Sequence, residues 1–329
     1  MPTIQNLTSF LFLAAFVFFA ACNVNDSDDD EEMISLFDLN KEIVEFNVTS
    51  TSTGLGSVFT SMATDSASRV QLSQAYVSES TFFPDESGYF FIETLDSALV
   101  IAHLNESLIG TIRYYAQDLN GKYHVQEIIN TVNTSGSGFV EYYFTNPASG
   151  NGEDKLSYVT SLPPTDWFIG AGFYYTDETQ NTMYSIDEAN EIVVQDLVET
   201  NARGFSEVFS SIYTDEQDRI AFSQAFVDDI TFFDDQSGYF FIVEFEGLVI
   251  AHGNDEELEG VDNWDLQDSQ GAYIVRDMSS IAQSNAGSGF YEYYWPNPTT
   301  GEDEQKKSFV MTIPGTEYFI AAGVYEGDR

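Results

Sequence analysis

The sequence predicts an α+β fold made twice in tandem, each copy a long N-terminal helix followed by an antiparallel sheet of about five strands. Three observations predict it. The chain matches itself at a shift of about 150 residues, so one structural unit is repeated. Asp187 to Tyr213 carries apolar residues at helical spacing (Ile192, Val193, Leu197, Phe205, Val208, Phe209, Ile212) with few breakers. Downstream of the helices, short apolar or alternating runs lie between Gly, Asn and Pro turns, which is the pattern of antiparallel strands.

The repeat is dense. Ser87-Gly88-Tyr89-Phe90-Phe91-Ile92 recurs unchanged as Ser237-Gly238-Tyr239-Phe240-Phe241-Ile242, and Leu99-Val100-Ile101-Ala102-His103 recurs as Leu248-Val249-Ile250-Ala251-His252. Gly110 matches Gly260, and Asp118 and Gly121 match Asp268 and Gly271. Gly136-Ser137-Gly138-Phe139 matches Gly287-Ser288-Gly289-Phe290, and Glu141-Tyr142-Tyr143 matches Glu292-Tyr293-Tyr294. Asn146-Pro147 with Asn297-Pro298, and Lys155 with Lys306, continue the series.

Along the chain, residues 1–21 read as an export signal: Leu7 to Ala21 is uncharged and apolar, too short to span a bilayer stably, and ends in Ala20-Ala21-Cys22, a lipobox. A transmembrane anchor or an ordinary secretory signal is the alternative, because the segment before the apolar run lacks the usual Lys or Arg. Cys22 is the one cysteine of the sequence, which excludes an intramolecular disulfide and leaves lipidation as its expected role. Residues 22–32 form an acidic tether, with six carboxylates between Asn23 and Glu32 and almost nothing to pack. The first globular unit is expected over 33–180 and the second over 181–329.

Within the first unit, a helix is expected from near Ser35. The Thr, Ser and Gly of Asn47 to Gly56 predict its interruption, with resumption at Ser57 to Met62. Shorter helices follow at Arg69 to Val77 and Arg219 to Val227, and Ile128 to Val132 reads as a connecting helix. Strands are expected at Tyr89 to Glu93, Leu99 to His103, Phe139 to Phe144, Leu156 to Ser161 and Trp167 to Tyr174.

Eleven Lys plus Arg against 54 Asp plus Glu give a net charge of −43, which repels nucleic acids and anionic lipid surfaces. An aromatic content of 15% supports well-packed interiors over disorder. The acidity fits a carboxylate-rich surface kept hydrated in a saline habitat, with weak divalent-cation binding as the other reading.

The ordered set Ser-Gly-Tyr-Phe-Phe-Ile, Val-Ile-Ala-His, Asp-x-x-Gly, Gly-Ser-Gly-Phe, Glu-Tyr-Tyr, Asn-Pro and Lys-x-Ser, present twice, resembles the single Cache domain of bacterial chemoreceptors and sensor kinases. The resemblance covers almost all of both repeats. It implies a PAS-like fold, an extracytoplasmic location, and a pocket between sheet and overlying loops for small metabolites such as carboxylates, amino acids or amines. No second membrane span or kinase follows the second copy in this sequence, so the expected signal leaves through a membrane partner: a sensor kinase, chemoreceptor or transporter. Contact with the membrane itself is expected through the lipid anchor alone.

Strand alternation places Tyr89 and Phe91 on one face and Phe90 and Ile92 on the other, so one pair faces a pocket and the other the core. The hydroxyls make Tyr89 and Tyr239 better pocket candidates, with Phe91 and Phe241 beside them; the alternative is that all are core aromatics. His103 and His252 end matching strands, where an imidazole can donate to an anionic ligand or bond a loop carbonyl. Cations are scarce, and two positions hold one in both copies. Lys155 and Lys306 are candidates to pair with a ligand carboxylate, whereas Arg69 and Arg219 begin helices and have a structural alternative.

Arg113 occurs in the first copy alone, in Gly-Thr-Ile-Arg-Tyr-Tyr where the second reads Gly-Val-Asp-Asn-Trp-Asp, and its guanidinium suits a carboxylate. The expected first pocket therefore holds Arg113, His103, Lys155 and Tyr115. The expected second holds Asn263, Asp265, His252 and Lys306, which favours an amine or polyol or a purely structural role. Asp118 and Asp268, in Asp-x-x-Gly turns, read as caps of backbone amides.

Three isolated histidines, no thiol in the globular part and no histidine pair at metal spacing give no recognisable catalytic or metal set, so an enzyme, a metal and a cofactor are not expected. The alternatives to a lipid-anchored sensor are a surface-display or interaction protein with degenerate pockets and an accessory subunit of a transporter.

Overall fold

The computed structural model describes residues 32–325, which form one compact unit containing both repeats. Cys22 and the expected signal and tether lie outside the described residues, apart from Glu32. Among the described residues, no helix is long and apolar enough to cross a membrane.

The first repeat runs β1 (Met33–Ser35), α1 (Leu36–Ser61), α2 (Ser66–Glu79), β2 (Thr81–Phe82), β3 (Gly88–Thr94), β4 (Val100–His103), α3 (His124–Ser135), β5 (Ser137–Thr145), β6 (Gly152–Leu162) and β7 (Trp167–Tyr175). A short α4 (Asp177–Asn181) leads to the second repeat: β8 (Met183–Ser185), α5 (Ile186–Ser211), α6 (Glu216–Val227), β9 (Phe240–Glu244), β10 (Val249–His252), α7 (Ile274–Ala282), β11 (Ser288–Pro296), β12 (Asp303–Thr312) and β13 (Tyr318–Tyr325). Both sheets are antiparallel. Their orders are β2-β3-β7-β6-β5, with β4 also on β3, and β10-β9-β13-β12-β11.

Each long helix starts on a serine cap. Ser35 Oγ accepts the Asp38 amide at 3.1 Å, and Ser185 forms a reciprocal capping box with Glu188. The expected break over Asn47 to Gly56 does not occur: α1 runs unbroken from Leu36 to Ser61. Tertiary contacts override the weak propensity. Ser52 Oγ donates to the Ser161 carbonyl at 2.8 Å, Thr51 Oγ1 lies 3.3 Å from the Tyr76 hydroxyl, and both residues are buried. At Gly54 a Cβ would come 2.7 Å from the Phe226 ring, so the glycine is there for close packing and not for flexibility.

Each sheet is covered on both faces. Phe90, Ile92, Ile169, Ala171 and Phe173 pack with Val44, Val48 and Phe59 of α1 in a core shared with α5 and α6. The opposite face, with Phe91, Val140, Val159 and Phe168, packs under Val125, Ile128 and Val132 of α3, and the second repeat has a matching cluster under α7. Near-continuous apolar burial along β3 and β7 follows from this double cover.

The repeats meet as an intramolecular pseudo-dimer. Strands β1 and β8 pair antiparallel with Ile34 opposite its own counterpart, Tyr184, so a local two-fold axis passes there. Helix α2 packs on α5, and α6 packs reciprocally on α1. Tyr76 stacks on its counterpart Phe226 with ring centroids 5.5 Å apart, and Gly204 admits the Tyr76 ring as Gly54 admits Phe226.

Candidate functional site

The sheet face turned away from α1 carries a small cavity in each repeat. In the first, alternation along β3 presents Tyr89, Phe91 and Glu93, and antiparallel register sets His103 of β4 opposite Phe91. The chain then turns at Gly110, whose φ of 79° is a left-handed value glycine takes without penalty. It returns to the sheet, where the Arg113 amide donates to the Ala98 carbonyl at 2.9 Å and aims Arg113 inward. His124, the first residue of α3, closes the cavity with Tyr142 and Phe144 of β5. The enclosed volume is about 10 Å³.

That cavity holds a buried charge cluster. Arg113 Nη1 stands 3.0 Å from Glu93 Oε1, with Glu93 1% exposed, and Arg113 Nη2 is 3.3 Å from His124 Nε2. A guanidinium only donates, so His124 Nε2 accepts and its proton sits on Nδ1. The His124 ring stacks on Tyr142 with centroids 4.7 Å apart. Glu93 Oε2 and His124 Nδ1 are buried with no hydrogen-bond partner among the described residues. Burial pushes the Glu93 carboxyl up to about 7, against the opposing pull of Arg113. Burial, then Arg113, holds His124 down to about 4, and burial, Arg113 and Lys155 hold His103 down to about 3. Both imidazoles are therefore neutral donors at physiological pH: His103 Nδ1 accepts the Asn105 amide at 2.8 Å, which leaves its proton on Nε2.

The second cavity, of about 40 Å³, occupies the equivalent place. Tyr239, Phe241, His252 and Tyr293 repeat their first-copy counterparts, and Asn263 repeats the position of Arg113. The charge cluster is absent. At 150 residues' shift, Val243 stands for Glu93, Asn263 for Arg113 and Ile274 for His124, with Val249, Leu258, Leu266, Val275, Met278 and Trp295 completing an apolar lining. His252 Nδ1 accepts the Asp255 amide at 3.0 Å, and burial followed by Lys306 holds this imidazole down to about 4.

The structure thus brings Tyr89, Phe91, His103 and Arg113 together in one cavity, and Tyr239, Phe241, His252 and Asn263 in the other. Four expected residues lie elsewhere. Tyr115 is 76% exposed, because its neighbour Tyr114 takes the inward position against the α3 cluster. Asp265 points to solvent and pairs with Arg276, while Leu266 turns inward. Lys155 and Lys306 are fully buried but sit behind the pocket tyrosines: Lys155 Nζ is 3.9 Å from the Tyr89 ring centroid, and Lys306 Nζ is 3.7 Å from that of Tyr239 and 3.3 Å from the Tyr325 hydroxyl. Gly323 makes room for the second lysine, since a Cβ there would come 2.7 Å from Lys306 Cε.

Arg69 and Arg219 are structural. Their Nε atoms donate to the Ala63 and Tyr213 carbonyls at 2.9 and 3.1 Å, and their Nη2 atoms to the Phe59 and Phe209 carbonyls at 3.1 Å, tying the end of each long helix to the next. Asp118 Oδ1 accepts the Asn120 and Lys122 amides and Oδ2 the Tyr143 amide, an arrangement repeated at Asp268. Among the cavity residues that sequence reasoning missed are Glu93 and His124. Their signal was a difference: both stand where the otherwise matching copies diverge.

The Cache domain family model matches this chain over residues 68–204 and 205–328. A curated relative, the sensor histidine kinase MctS of Rhizobium johnstonii, is 34% identical over 94 residues, which are 28% of this chain and 20% of that protein; the chain thus spans about a fifth of the length of the relative it matches. Among solved structures, a periplasmic sensor domain of a chemotaxis protein is 25% identical, covers 43% of this chain and 98% of its own, and superposes with a TM-score of 0.38. A Cache chemosensory domain described for carboxylic acid recognition is 22% identical, covers 43% of this chain and 96% of its own, with a TM-score of 0.36.

Proposed function

Because this chain belongs to the Cache domain family, we propose that it is an extracytoplasmic sensor or binding protein that captures a small carboxylate in the pocket of its first repeat. The observation that carries the reading is the Arg113 cluster: a guanidinium, 14% exposed, at the end of a cavity walled by Tyr89, Phe91 and neutral His103. A ligand carboxylate replaces Glu93 as the partner of Arg113 and accepts from His103 Nε2, while the aromatic walls hold its apolar portion. Lipid at Cys22 would anchor the chain in the bacterial envelope, with units over 33–180 and 181–329 held off the membrane by the acidic tether. The occupied state passes to a membrane partner of the sensor-kinase or chemoreceptor kind.

A thermal-shift screen of small carboxylates, amino acids and amines tests it. Stabilisation by at least one carboxylate, lost in Arg113→Ala, is the expected result; no response to any carboxylate overturns the reading. A second reading, a surface-display protein whose first pocket is filled by its own ion pair, is favoured by the 3.0 Å Arg113–Glu93 contact inside a cavity of about 10 Å³. The same screen separates the two.

A further inference from the structure

We infer that the cavity of the second repeat is a binding site for a small uncharged molecule with an apolar body and one hydrogen-bond-accepting group, a ligand class different from that of the first. The inference rests on residue-by-residue exchange at one position in the fold. The three groups that make the first cavity polar, the Glu93–Arg113 ion pair and the neutral His124, are replaced together by Val243, Asn263 and Ile274, while the tyrosine, phenylalanine and histidine framework is kept. The framework preserves a pocket, and the exchange changes what it accepts.

A charged ligand entering this cavity would lose its hydration with no counter-charge to meet. Lys306 lies behind the Tyr239 ring and is bonded to the Tyr325 hydroxyl, Asp265 turns outward to Arg276, and the Glu259 carboxylate is engaged by the His252 backbone amide at 3.0 Å. An uncharged apolar body meets Phe241, Val249, Leu258, Met278 and Trp295, of which the unbranched Met278 adapts most readily to an occupant. Polar recognition falls to His252. Backbone amides of the following turn occupy its Nδ1, so Nε2–H is a neutral donor, and the Asn263 side chain adds an amide at the rim. One or two placed donors in an otherwise apolar cavity fix the orientation of an alcohol, ketone or ether.

Met278 also supplies the test, because the first repeat has Ile128 at this position and no methionine in its pocket. The full chain, labelled with 13C in its methionine methyl groups, is titrated with 2-butanone and with propionate, which has the same number of heavy atoms and a negative charge. The Met278 signal is assigned with Met278→Leu. The expected result is a saturable shift of the Met278 methyl with 2-butanone, and a response to propionate at concentrations at least roughly tenfold higher. In Arg113→Ala the 2-butanone response persists, so a failure of carboxylate capture in the first repeat leaves this result readable. His252→Phe weakens the 2-butanone response, and Val243→Glu, which restores the first repeat's acidic position, abolishes it. A Met278 shift that favours propionate, or none with 2-butanone up to the concentration that begins to unfold the chain, overturns the inference.

Discussion

Arg113 and Glu93 form a buried ion pair, 3.0 Å between Nη1 and Oε1, at the position where the second repeat places Asn263 and Val243. One copy of a duplicated pocket is therefore charged and its twin is not, although the same strands and aromatics build both. Removing one member of a buried pair leaves the other uncompensated, whereas replacing the whole set with apolar groups of fitting shape is close to neutral. Arg113→Ala is expected to destabilise the chain by about 1–3 kcal/mol, and the triple exchange Glu93→Val, Arg113→Asn, His124→Ile to change stability by less than about 1 kcal/mol. Urea unfolding of the two variants checks this; a triple variant less stable than Arg113→Ala contradicts it.

Protonation of Glu93 couples pH to both stability and capture. Its carboxyl is raised from an ordinary 4.5 to about 7, so between those values the folded chain keeps a proton that the unfolded chain has released. This group's contribution to stability therefore falls as pH rises through that window, and Glu93→Gln removes the slope. His124, held down to about 4 from 6.5, acts oppositely: its contribution is lost as pH falls from 6.5 toward 4.

A neutral Glu93 also releases Arg113 to a ligand. Arg113, His124, His103, Tyr89, Tyr142 and Lys155 are the titratable and charged groups around it, and the histidines stay neutral above pH 6. Carboxylate affinity is expected to rise as pH falls from about 8 to about 6, and to be flat with pH in Glu93→Gln. Calorimetric titration across that range checks it; a pH slope that survives in Glu93→Gln contradicts it.

Much of the fold was legible because burial writes itself into periodicity. The strands and the helix α5 followed from apolar spacing, and the duplication followed from identities. The continuity of α1 was not legible, because Ser52, Thr51 and Gly54 look like helix breakers until Ser161, Tyr76 and Phe226 are packed against them. Tyr115 and Asp265 stand two residues beyond Arg113 and Asn263 in the chain, yet their neighbours Tyr114 and Leu266 are the ones that turn inward. Identity between the copies marks the shared cations Lys155 and Lys306, whereas Glu93 and His124 fall where the identity breaks and the linings of the two cavities differ.

The junction between repeats depends on two missing side chains. At Gly204 a Cβ would stand 2.5 Å from Ser80 Oγ and 2.7 Å from the Tyr76 ring. Gly204→Ala is expected to destabilise by about 1–3 kcal/mol through overpacking, even though alanine favours the helix by about 1 kcal/mol. Thermal and urea unfolding measure the balance, and unchanged or increased stability contradicts this packing account.

Lys155 is wholly buried between the Tyr89 and Tyr174 rings, and burial pulls its ammonium below the ordinary range. Lys155→Met, similar in length and without charge, is expected to leave stability unchanged or raise it by about 1–2 kcal/mol. A loss larger than about 2 kcal/mol would show the cation over the two tyrosines to be a net stabilising contact.

The most direct test of carboxylate capture is a crystal structure of the full chain grown with the carboxylate that gives the largest thermal shift. The account predicts the ligand's carboxylate within hydrogen-bond distance of the Arg113 guanidinium and His103 Nε2, with Glu93 moved off Arg113. A ligand bound elsewhere, or the 3.0 Å Arg113–Glu93 pair intact beside it, would contradict the account.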